Sequence, residues 1–73
     1  MFKTTDLYLA AFLVNSGQGL ERIESINDKQ KAFVFDNEEK SEAISRDYYN
    51  GGTVEVLPFK KILNDLKKQL FTC

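Results

Sequence analysis

A chain of 73 residues with no histidine and a single cysteine, Cys73, supplies one core and one domain over residues 1–73, and it excludes a disulfide-stapled fold or an ordinary zinc site. Its net charge of -1 gives no global field for drawing it onto nucleic acid or anionic lipid, so partners have to be argued from local patches. The longest apolar run, residues 7–14, is far shorter than the roughly 20 residues of a membrane helix, and no leader pattern precedes it; a cytoplasmic protein with no membrane contact and no cofactor is expected.

The first element predicted is a helix. Thr4 or Thr5 caps it, Asp6 puts negative charge in the first turn, and the apolar run from Leu7 to Val14 fills it until Asn15-Ser16-Gly17 ends it. Leu7, Ala10, Ala11 and Val14 make one stripe, while Leu9, Phe12 and Leu13 are equally apolar on the next face, so the helix needs cover on more than one side. Residues 20–26 read as a strand, with Leu20, Ile23 and Ile26 spaced so irregularly that a bulge is implied. Asn27-Asp28-Lys29 makes a polar turn, and Ala32-Phe33-Val34-Phe35 suits a strand buried on both faces, paired with the previous one as a hairpin.

Asp36 or Asn37 caps a second helix that carries Glu38 and Glu39 near its positive end and runs to about Tyr49, where Asn50-Gly51-Gly52 stops it. Its apolar content is thin, and Glu42 and Arg46 are spaced for an i, i+4 pair on its wet side. Thr53-Val54-Glu55-Val56-Leu57 alternates and predicts a third strand. Pro58 then starts the last helix, in which Phe59, Ile62, Leu63, Leu66 and Leu70 form one apolar stripe. The expected fold is α+β in the order α-β-β-α-β-α, a small, mainly antiparallel three-stranded sheet with helices packed on it.

The opening from Phe2 to Leu13, with Phe33-Val34-Phe35, Tyr49-Asn50-Gly51 and the closing helix from Phe59 to Leu70, resembles a family of small uncharacterised bacterial and phage domains that open with a Thr-x-Asp-Leu-x-x-Ala-Ala segment. The resemblance covers nearly the whole chain. It implies an aromatic, often tryptophan, where Tyr49 stands, and an acidic residue before the proline where this chain has Leu57. The family has no assigned activity, so the resemblance brings no catalytic or binding residue with it.

Catalytic groups are not arranged by any motif. Without histidine, an activated Ser, Cys or Thr would need a lysine or carboxylate base, and Ser41, Ser45 and Thr53 read as helix-surface and strand positions. Glu38, Glu39, Glu42 and Asp47 read as a solvated acidic face. Gly17 and Gly19 follow a helix rather than a strand, the reverse of a phosphate-cradling loop, and capping explains Gly17. No enzyme activity is expected.

Two surfaces remain. The first helix is too apolar to be buried with ease in so small a domain, so Tyr8, Leu9 and Phe12 are candidate contacts for a second copy of the chain or another protein. Lys60, Lys61, Lys67 and Lys68 make the one locally basic helix face, a candidate contact for nucleic-acid phosphates. A non-enzymatic interaction module is the leading expectation and a nucleic-acid-associated protein the alternative. Cys73 is expected to be a tail residue, with cross-linking of two chains left open.

Overall fold

The structure is a computed structural model that describes residues 1–72. Cys73, and with it the question of a cross-link, lies outside the described residues. The elements are β1 (Phe2–Thr4), α1 (Leu7–Asn15), β2 (Leu20–Ser25), β3 (Lys31–Phe35), α2 (Glu38–Tyr49) and α3 (Val56–Thr72). The class is α+β, with a three-stranded antiparallel sheet in the order β1-β3-β2.

The third strand is not where alternation put it. Thr53, Val54 and Glu55 form no strand, and Val56 and Leu57 already belong to α3. Both edges of β3 are taken, by β2 and by β1, whose Phe2, Lys3 and Thr4 oppose Phe35, Val34 and Phe33. The alternating segment also runs directly into a first helical turn, where the Phe59 amide donates to the Glu55 carbonyl at 3.2 Å. Pro58 therefore sits in that turn at the third helical position, where its missing N–H costs nothing.

Local chemistry sets the remaining boundaries. Asp6 caps α1, accepting from the amides of Tyr8 at 2.9 Å and Leu9 at 3.2 Å, while Thr4 Oγ1 accepts from the Asp6 amide at 3.1 Å. The cap thus belongs to Asp6 rather than to either threonine. Gly17, at φ +94°, lets the Gln18 amide reach back to the Leu13 carbonyl at 3.0 Å. Asn37 caps α2 through the Lys40 amide at 3.0 Å, and Gly51, at φ +91°, closes it with the Gly52 amide on the Asp47 carbonyl at 2.9 Å. In the β2–β3 turn Asn27 Oδ1 accepts from both the Lys29 and Gln30 amides at 2.9 Å, and β2 is irregular between Leu20 and Arg22, as its spacing implied.

The core joins Leu9, Ala10, Ala11 and Leu13 of α1 to Phe33 and Phe35 of β3 and Leu66 of α3, with Ile44 and Tyr48 of α2 packed against it. β3 is buried on both faces. Ala32 and Val34 point away from Phe33 and Phe35 and are buried too, because Lys3 and Arg22 stand opposite Val34 and Glu24 opposite Ala32. A Lys3–Glu24 ion pair of 2.9 Å crosses β3 from β1 to β2, and Arg22 reaches Glu21 at 3.1 Å and Glu24 at 3.4 Å. The stems of these side chains shelter the strand while their charges stay wet. The hydrogen bond and charge of Lys3, with the charge of Arg22, hold the Glu24 carboxyl below its ordinary value despite some opposing desolvation.

Candidate functional site: a tyrosine cluster where α1 meets α2

Of the three candidate contacts on α1, two are closed off. Leu9 and Phe12 are buried within the monomer, and only Tyr8, 55% exposed, reaches solvent. The helix has the extra cover it needed: the sheet on one side, α3 on another, and α2 with the loop after it against Phe12. An interface made by Leu9 and Phe12 would require opening the core.

Tyr8 belongs instead to a different grouping. Phe12, one turn further along α1, meets the Tyr48 ring edge-on at a centroid distance of 5.2 Å, and Tyr48 meets Tyr49 in the same manner, also at 5.2 Å. Tyr48 is partly buried and Tyr49 is 68% exposed. The Tyr48 phenol is pushed above its ordinary value first by burial, then by the negative charge of Asp6 and the neighbouring phenols of Tyr49 and Tyr8. Tyr48 and Tyr49 thus pack at the end of α2 against Phe12, and Tyr8, the third tyrosine of the chain, stands one turn before Phe12 at the start of α1. Gly52 locks the seam: a Cβ there would stand 2.8 Å from Phe12 Cζ and 3.0 Å from the Asp47 carbonyl. Sequence spacing could not join residues forty positions apart; the signal available was the pair Tyr48-Tyr49 just before a glycine stop.

The α3 lysines are placed as expected. Lys60, Lys61, Lys67 and Lys68 are exposed, and the pairs 60/67 and 61/68, two turns apart, share one side of the helix. Leu57, 77% exposed, and Phe71, 89% exposed, fall on that same side at the two ends of the lysine stretch. The apolar stripe read from the sequence did not include them.

Other features carry less chemistry. A cavity of about 350 Å³ opens beside the end of α3, with Leu7, Phe33, Leu70 and Phe71 as apolar walls and Lys29 and Lys31 at its polar side; the Lys31 ammonium donates to the Leu70 carbonyl at 2.9 Å, a favourable place for a cation at a helix C-terminus. Ser41 is fully buried and its hydroxyl has no partner. Glu42 and Arg46 form no ion pair among the described residues, in which the ion pairs lie on the sheet and at the amino terminus. Among the described residues no group of three or more acidic or cysteine side chains is placed to hold a metal ion, and no helix is long and apolar enough to cross a membrane.

These features define a small α+β domain whose helices cover one face of a three-stranded sheet and whose tyrosines are displayed at a helix junction. The profile of the family described as Domain of unknown function (DUF5659) matches residues 1–72, and the chain belongs to that family. No curated protein and no solved structure matches it.

Proposed function

We propose that this chain is a non-enzymatic interaction module, working in the cytoplasm of a bacterium or its mobile elements, that docks on a protein partner through Tyr8, Tyr48 and Tyr49. One observation carries the reading: Tyr48 and Tyr49 pack edge-on beside Phe12, one turn along α1 from Tyr8, and Tyr8 and Tyr49 are more than half exposed, although the chain buries its other aromatic-rich segment, Phe33 to Phe35, completely. Tyrosine offers a large rigid ring and a polar tip at low entropic cost, which is why it is enriched where partners bury each other's surface. Burial and nearby negative charge account for the displaced Tyr48 phenol. A photo-reactive phenylalanine at position 49, and separately at 8, should give protein adducts in the host, while the same group at Glu21 on the outer sheet should not; equal labelling from Glu21 would refute the docking site.

The exposure of all four α3 lysines supports a second reading, contact with nucleic-acid phosphates. It requires binding that weakens steeply with salt and is lost when Lys60 and Lys67 are changed to Glu.

A further inference from the structure

We propose that the outer face of α3 rests on the surface of an anionic lipid bilayer, with its lysines among the headgroup phosphates and Leu57 and Phe71 dipping below them. The inference concerns a different surface from the tyrosines and does not depend on them. At about 100° per residue, Leu57 and Phe71 fall on the side of α3 that carries Lys60, Lys61, Lys67 and Lys68, and all six are exposed. Val56, beside Leu57, is exposed too. The opposite stripe of the helix is spent on the core through Leu66 and its neighbours. Leu57 and Phe71 stand about 21 Å apart along the axis, with the lysines between them, and the one acid of α3, Asp65, lies at the edge of that face. At the Phe71 end the cavity beside α3 brings up Lys29 and Lys31 against Asp28.

The lysines select an anionic occupant, and the apolar ends select among anions. Nucleic acid satisfies the lysines, but α3 has no arginine for a bidentate grip on phosphate or base edge. A single strand gives Phe71 a base to stack on and nothing for Leu57. An acidic protein would need carboxylates matched to four lysines and a separate apolar recess for each end. A bilayer needs no such match, because every headgroup phosphate has acyl chains beneath it: the flexible lysine stems spread along the interface while the apolar tips bury. Among the described residues no helix is long and apolar enough to cross a membrane, and surface contact requires none.

The test is co-sedimentation of the intact protein with vesicles of phosphatidylcholine mixed with phosphatidylglycerol, and with vesicles of phosphatidylcholine alone. The expected result is binding to the mixed vesicles at least several-fold stronger than to the neutral ones, and weakened by salt. Two double variants, Lys60→Gln with Lys67→Gln and Leu57→Ser with Phe71→Ser, should each reduce it several-fold, while Lys40→Gln, at an exposed position of α2, should leave it unchanged. All the substituted side chains are exposed, so unchanged melting shows that the variants fold. No binding to the mixed vesicles, equal binding to both kinds, an equal loss with Lys40→Gln, or indifference to the Leu57 and Phe71 changes would each overturn the proposal. Binding of a DNA duplex or an RNA strand that the lysine changes abolish and the Leu57 and Phe71 changes spare, with the mixed vesicles ignored, would overturn it in favour of the nucleic-acid reading.

Discussion

Replacing Gly52 by alanine tests the seam that positions the tyrosines. The residue is not at positive φ, so backbone strain is not involved and the whole effect comes from one added methyl group. That carbon would stand 2.8 Å from Phe12 Cζ, a buried ring already in contact with Tyr48, and 3.0 Å from the Asp47 carbonyl that accepts the Gly52 amide. Neither neighbour moves freely, since one is in the core and the other is backbone closing α2. Overpacking of this kind costs about 1–3 kcal/mol, or a melting-temperature drop of roughly 5–20 °C for a domain of this size. Gly19→Ala is the control: it has nothing within 4 Å and no positive φ, so it should be neutral or slightly stabilising. If the clash with Phe12 dominates, Phe12→Leu should hurt less in the Gly52→Ala background than alone, giving a favourable coupling in a double-mutant cycle. Thermal or urea melts in which Gly52→Ala matches Gly19→Ala would refute the reasoning.

Ser41→Ala should leave stability unchanged or raise it by about 1 kcal/mol, because it removes a buried hydroxyl without a partner and substitutes a better helix former; a clear loss in urea melts would mean the hydroxyl is satisfied after all. Asn37→Ala should cost about 1 kcal/mol through loss of the α2 cap, readable by the same melts. Since the folded-state value of the Tyr48 phenol is raised, its contribution is complete below the ordinary phenol range and disappears as pH climbs through the raised value. Melts above about pH 10 should therefore show falling stability that Tyr48→Phe makes shallower; identical alkaline profiles would contradict that.

Much of the fold was legible because local signals agreed with tertiary ones. The caps at Asn37, Gly17 and Gly51, the Asn27 turn, the bulge in β2 and the Phe59-to-Leu70 stripe all act over a few residues, where sequence spacing is informative. The strand at Phe2–Thr4 was missed because three residues carry almost no periodicity; it exists by pairing with β3, more than thirty positions away. Thr53–Leu57 misled for the converse reason, having the right alternation while its last two residues are drawn into the first turn of α3. The interface expected on α1 shows the same limit, since Leu9 and Phe12 look surplus until α2 and α3 are laid over them. Tyr8 and Tyr48-Tyr49 were visible separately, and only the packing of Phe12 brought them into one site.

The most direct test of the central claim, that α1 is closed inside a single chain and leaves the tyrosine cluster as the docking surface, is solution mass by light scattering over a wide concentration range. Reductant should be present so that Cys73 cannot join chains. The result predicted is a monomer of 8.4 kDa at every concentration. A dimer that persists on dilution would contradict it, because the chain would then be covering with a second copy a surface that the monomer is here held to present to a different protein.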